Sequence, residues 1–185
     1  EYQEPARYKT FKNEADFIAI GRQTIADPDY ANKVKVGKPE TIRRCLRCNE
    51  CLGEVMSSRG ISCAINPEAG KEFESFVKIH KAEKKKKVAI IGSGPAGLQA
   101  ALTASERGHN VTLFEKLDRL GGALYYVGLP DFKKDYRDYT KYIIGAVEDS
   151  NVTIKLETEA TLEVLKKGKF DTILVATGAN SNIPP

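Results

Sequence analysis

Cysteine and histidine are scarce in this sequence of 185 residues, with four of the first and two of the second. Neither His80 nor His109 lies at ligand spacing from the cysteines, which narrows the metal chemistry the chain offers. No apolar run is long enough to cross a membrane, and the amino-terminal Glu1-Tyr2-Gln3-Glu4-Pro5 lacks the apolar core of a secretory signal. Charge of one sign is not in large excess either, since the formal net charge is +4. The one basic run, Lys84 to Lys87, directly precedes an apolar segment and reads as a solvated connector, not a nucleic-acid surface. These absences exclude a membrane span and a nucleic-acid partner, and they predict a soluble protein in a reducing, cytoplasmic compartment where disulfides are disfavoured. Met56 is the sole methionine, so no initiator is visible, and Pro184-Pro185 follows directly on a strand-like run and a glycine turn. A fragment of a longer protein is expected.

What is present is clustered. Cys45, Cys48 and Cys51 form a Cys-x2-Cys-x2-Cys run, and Cys63 follows after eleven intervening residues. Tight turns of this kind let several thiolates converge on one centre while backbone N–H groups stabilise the sulfur charge. A [4Fe-4S] cube accepts that geometry. Structural zinc, which more often uses two separated Cys-x2-Cys or Cys/His pairs, is the alternative, followed by disulfides or free thiols. Arg43, Arg44 and Arg47 flank the loop and would offset thiolate charge, although exposed arginines are commonly just solvated.

Along the chain, Ala15 to Ile20 is a short strand candidate, Gly21-Arg22 a turn, and Asp27-Pro28 a helix start leading through Tyr30 to Val36. Residues 41–72 form an irregular cysteine loop, in which Asn66-Pro67 and Gly70 resist regular structure and point to an ordering centre other than an apolar core. A charged, helix-compatible linker follows, from Lys71 to about Lys85. Lys87 to Ile91 then makes a buried strand, Pro95 to Arg107 a helix and Val111 to Glu115 a second strand. Asp131 to Asp149 reads as a helix with Tyr136, Tyr139, Tyr142 and Ile143 at helical spacing. Val152 to Leu156 is a strand, Thr161 to Lys167 a short helix, and Phe170 onward a strand ending in the small-residue turn Ala176-Thr177-Gly178.

The second motif is Gly92-Ser93-Gly94-Pro95-Ala96-Gly97. A Gly-x-Gly-x-x-Gly is weak alone, but this one closes an apolar strand, opens an Ala/Leu-rich helix and is followed by an acid, Glu115. Gly92 allows the sharp turn, Gly94 lets a pyrophosphate approach the backbone and Gly97 lets helix pack on strand, while the helix amino terminus supplies a positive dipole. A carboxylate at 115 suits ribose hydroxyls and repels a 2′-phosphate, so the site is expected to hold FAD, ADP or NAD, not NADP.

With these residues in view, nearly the whole chain resembles the carboxy-side part of an iron–sulfur flavoprotein of the Old Yellow Enzyme superfamily, the group of 2,4-dienoyl-CoA reductase, enoate reductases and trimethylamine dehydrogenase. Ala15 to Arg22 followed by Ala26-Asp27-Pro28 resembles the last strand–helix unit of that family's FMN-binding (β/α)8 barrel, which implies that Gly21 and Arg22 contact the FMN phosphate. The cysteine spacing matches the family's [4Fe-4S] motif, which implies Cys45, Cys48, Cys51 and Cys63 as ligands. Gly92-x-Gly94-x-x-Gly97, Glu115-Lys116, Leu120-Gly121-Gly122 and Ala176-Thr177-Gly178 resemble its next domain, which binds FAD in the reductases and ADP in the amine dehydrogenases.

The resemblance implies an α/β fold: a Rossmann-like three-layer FAD/ADP-binding domain, incomplete over 87–185, preceded by a barrel remnant (1–40), the cluster loop (41–72) and a linker (73–86). It also implies that the parent protein passes electrons from NAD(P)H through FAD and the cluster to FMN, reducing an activated C=C bond of an enoate or 2,4-dienoyl-CoA. Two alternatives stand beside it. One is the amine dehydrogenase branch, with electrons leaving to a partner protein, and the other is a non-catalytic FAD/ADP-binding module. An oligomer is compatible with either. The first seven barrel strands are missing from the chain, so no catalytic acid, base or nucleophile is assigned within it.

Overall fold

The computed structural model describes residues 16–17, 19–74 and 79–179. The chain divides into a first unit of residues 1–78 and 134–142 and a second of residues 79–133 and 143–185.

In the first unit, α1 (Arg22–Ala26) and α2 (Tyr30–Lys35) are followed by a 3-10 turn at Pro39–Thr41 and by α3 (Glu50–Met56). The strand expected over Ala15 to Ile20 lies partly outside the described residues. Those inside it are not in a strand, and the unit's described residues contain none with which it would pair. A lone extended segment has no ladder to satisfy its backbone. Gly21-Arg22, expected as a turn, is the start of α1, and the cysteine loop contains a helix, α3, that the spacing did not suggest. The linker is not helical among its described residues, 71–74 and 79–86.

The second unit is built on four parallel strands: β1 (Lys87–Ile91), β2 (Asn110–Phe114), β3 (Thr153–Lys155) and β4 (Thr172–Val175), in the order β3-β2-β1-β4. Parallel neighbours need crossovers, and α4 (Pro95–Glu106) provides the one between β1 and β2, packing against both. β1 is the central strand, and Val88, Ala89 and Ile90 are buried, the continuous apolar run of a strand covered on both faces. Ala89 and Phe114 pack with Leu165 of α7 (Leu162–Gly168), and Ile91, Val164 and Phe170 close around them. Alternation along β1 turns Val88 and Ile90 to the opposite face.

α7 begins where the sequence suggested, because the Thr161 side chain accepts from the Val164 N–H. A short helix, α5 (Ala123–Val127), follows Gly122. The long helix α6 (Lys134–Glu148) has its first nine residues in the first unit and the rest in the second. Tyr139, Ile143 and Val147, spaced four apart, form its buried stripe.

Candidate functional site

Each unit carries a candidate site. In the first, Cys45, Cys48, Cys51 and Cys63 line one pocket together with Arg22, Ile25 and Ile65. All four are free thiols; Cys45 is buried and Cys48 is exposed. Among the described residues no three Cys, His, Asp or Glu side chains are grouped to hold a single metal ion. Arg47 and Asn49 adopt left-handed backbone conformations, with φ of 55° and 62°. This curls the chain so that the Arg47 N–H donates to Cys45 Sγ at 3.4 Å, the kind of contact that stabilises a thiolate.

The loop is held by buried polar side chains that belong to no sequence motif. Gln23, fully buried on α1, accepts from the Cys45 N–H at 3.0 Å and donates to the Arg43 carbonyl at 3.0 Å. Asp27 accepts from the Arg43 N–H at 2.8 Å and pairs with Lys33 at 2.7 Å. Asn66, read from sequence only as a breaker, accepts from Arg43 and donates to the Ile25 carbonyl at 2.8 Å. Their one legible signal was position, since each is a polar residue close to an apolar stretch that flanks the cysteines.

Two of the three arginines flanking the loop are paired with carboxylates. Arg47 pairs with Asp135, and Arg44 with Asp138 at 3.6 Å. Arg22, expected at a flavin phosphate, donates to Asn49 Oδ1 and lines the cysteine pocket, while Gly21 precedes it with open space where a side chain would stand. Tyr139 is buried and its phenol is held above its ordinary range chiefly by that burial, with Arg43 opposing and Tyr142 and Cys63 adding.

In the second unit the glycine fingerprint joins β1 to α4. Gly92 has φ of 97°, and a Cβ there would meet the Ala176 carbonyl oxygen at 2.5 Å. A Cβ at Gly97 would lie 1.9 Å from the Gly92 carbonyl oxygen. Both glycines are therefore required by packing within the protein. Gly94 is different: nothing stands within 4 Å of a Cβ there, and it is the N-cap of α4, with Pro95 in the first turn and Pro95 and Ala96 exposed. The open face of the turn thus lies at the positive end of a twelve-residue helix, where an anion is favoured.

Other expected residues gather on this turn. The Gly121 N–H donates to the Ser93 carbonyl at 3.0 Å, and a Cβ on Gly122 would come within 3.0 Å of Gly94 Cα. The Ala176 N–H donates to the Ile91 carbonyl at 2.8 Å, which places Ala176-Thr177-Gly178 beside the fingerprint. Glu115 is buried just past the end of β2. Its carboxylate accepts from the Ser93 N–H and hydroxyl and from the Leu117 N–H. Burial pushes its pKa up, but these hydrogen bonds outweigh it and hold the group below the ordinary carboxylate value of 4.5. Lys116, next to it, is exposed.

The pyridine nucleotide-disulphide oxidoreductase family matches over residues 86–185, which takes in the whole strand–turn–helix unit, Glu115 and the turn after β4. The chain belongs to that family. Among relatives of this pyridine nucleotide-disulphide oxidoreductase segment, the cinnamate reductase of Clostridium sporogenes is 44% identical over 166 residues, covering 89% of the chain and 25% of the relative. A solved 2-naphthoyl-CoA reductase in complex with 2-naphthoyl-CoA is 33% identical with a TM-score of 0.91, over 97% of this chain and 27% of that one. Histamine dehydrogenase from Rhizobium sp. 4-9 is 27% identical with a TM-score of 0.90, over 98% and 27%. The chain thus spans about a quarter of the length of these proteins. The resemblance to a segment of an Old Yellow Enzyme-type iron–sulfur flavoprotein is borne out. No helix among the described residues is long and apolar enough to cross a membrane.

Proposed function

We propose that this chain is the electron-relay segment of a flavin-dependent reductase acting on activated C=C bonds. Its family makes it part of an oxidoreductase. In the finer reading, Cys45, Cys48, Cys51 and Cys63 hold a [4Fe-4S] cluster. The turn from Gly92 to Gly97, with Gly122 and Ala176 to Gly178, cradles the pyrophosphate of FAD or ADP. Glu115 accepts the adenosine ribose, Lys116 flanks it, and Gly21 and Arg22 contact an FMN phosphate. When bound, an iron–sulfur cluster exchanges single electrons and a flavin one or two, which couples a two-electron donor such as NAD(P)H to reduction of a small substrate.

One observation carries the reading: cysteines from two separate stretches of chain line a single pocket, with a backbone N–H donated to one of them. The pocket's own residues supply the rest of the environment. Ile25 and Ile65 supply apolar lining, and the Gln23 and Asp27 network fixes the backbone that carries Cys45.

Reduction of an enoate or enoyl-CoA is favoured over amine oxidation by the higher identity to cinnamate reductase than to histamine dehydrogenase. An anaerobic ultraviolet–visible spectrum of the purified protein, before and after dithionite, tests the proposal. A broad absorption that bleaches on reduction, beside resolved flavin bands, is the expected result. A colourless protein containing zinc overturns it.

A further inference from the structure

Ser93 occupies the second position of the glycine fingerprint, on a turn whose open side is expected to meet a nucleotide, yet it is fully buried. Both of its hydrogen-bond donors go elsewhere. Its backbone N–H reaches Glu115 Oε2 at 3.0 Å and its hydroxyl reaches the same oxygen at 2.6 Å. The Leu117 N–H donates to Oε1 at 2.9 Å. The Lys116 backbone N–H lies against the carboxylate as well, so both of its oxygens are held by donors from the chain itself. The Ser93 carbonyl is engaged as well, by the Gly121 N–H at 3.0 Å.

We infer that Ser93 is a positioning residue for nucleotide selectivity: it acts through Glu115, clamping Oε2 so that the carboxylate is fixed in one orientation toward a ribose carrying a free hydroxyl. The inference rests on the proposed role of Glu115 at the ribose. Physical reasons favour a hydroxyl at position 93. A carboxylate as buried as Glu115 needs donors to stay charged, and a charge-assisted O–H contact is among the strongest available. Burial raises the Glu115 pKa, but the hydrogen bonds outweigh it and hold it low, with the Ser93 hydroxyl the largest lowering influence. Charged side chains on the segments around it are Lys116 and Asp118 just after it, Lys155 on β3, whose carbonyl accepts from the Glu115 N–H, and Glu157, whose N–H donates to the Leu117 carbonyl. A clamped carboxylate also rejects a 2′-phosphate more firmly than a mobile one, because it cannot swing away from the added charge.

The test is calorimetric titration of the purified protein, freed of nucleotide, with ADP and with 2′-phosphorylated ADP from pH 4 to 8. Ser93→Ala, Ser93→Thr and Glu115→Gln are compared with the wild type. Ser93→Ala is expected to weaken ADP binding about tenfold at neutral pH. It should also move the acid loss of affinity to higher pH and narrow the preference for ADP over its 2′-phosphorylated form. Ser93→Thr, which keeps the hydroxyl, should restore all three; if its extra methyl prevents folding, the acid limb of Ser93→Ala decides alone. Ser93→Ala with wild-type affinity, or with lower affinity but an unmoved acid limb and unchanged selectivity, overturns the inference. Glu115→Gln separates the two ideas: unchanged ADP affinity in that variant sinks the ribose reading itself, whereas a loss there beside a silent Ser93→Ala sinks only the role of Ser93.

Discussion

Gly94 and Gly97 lie three residues apart in the same turn and serve opposite ends. A methyl at 97 runs into the Gly92 carbonyl at 1.9 Å, backbone against backbone, so Gly97→Ala should destabilise the second unit by about 2 kcal/mol or more, read as a shift in the denaturation midpoint. A methyl at 94 meets nothing. Gly94→Ala should therefore change stability by less than about 1 kcal/mol, the scale of an N-cap exchange, while clearly weakening ADP binding, because the methyl fills the space a pyrophosphate would approach. If Gly94→Ala bound ADP as tightly as the wild type, the cradle would lie elsewhere. The fingerprint was legible as a motif, but this division of labour was not. It depends on where a Cβ at each position would point: at 97 onto the Gly92 carbonyl, with Ala176 from a distant stretch 3.5 Å away, and at 94 into open space.

The elements differ in how clearly the sequence announced them. β1 and α4 appear almost residue for residue, since an apolar run, a glycine turn and an Ala/Leu-rich stretch each have a strong local cause. The short helices α1, α3 and α5 were not read, because none has the side-chain N-cap that marks the equally short α7, and helices of this length are otherwise decided by what they pack on. α1 shows the consequence. It carries Gln23, whose side chain bridges the Cys45 N–H and the Arg43 carbonyl inside the loop. Gln23→Leu keeps the volume but strands both backbone groups, so it should cost about 2–4 kcal/mol of stability and reduce the iron retained per chain. Unfolding curves and iron analysis check this, and wild-type values in both would show the network to be dispensable.

At the scale of the whole molecule, the two candidate sites are built from different materials. One is a loop held by side-chain hydrogen bonds, and the other is a turn held by a parallel sheet. Cys48→Ala is expected to abolish the visible absorption of a cluster while leaving ADP affinity within about threefold of wild type, an energy difference below about 1 kcal/mol. Equal loss of both would mean that the loop serves only to fold the chain. By itself, the sequence determined the chemistry on offer: four clustered thiols, a glycine turn between strand and helix, and an acid past the second strand. Each depends on residue type and short spacing, which the chain carries locally. Only the tertiary structure decided what those groups touch. Ser93 is committed to Glu115, Arg44 and Arg47 to Asp138 and Asp135, and Gln23 to the backbone around Cys45. Those pairings join residues 22 to 94 positions apart, and a hydrogen bond over that separation is set by how the elements pack, not by any periodicity a linear reading detects.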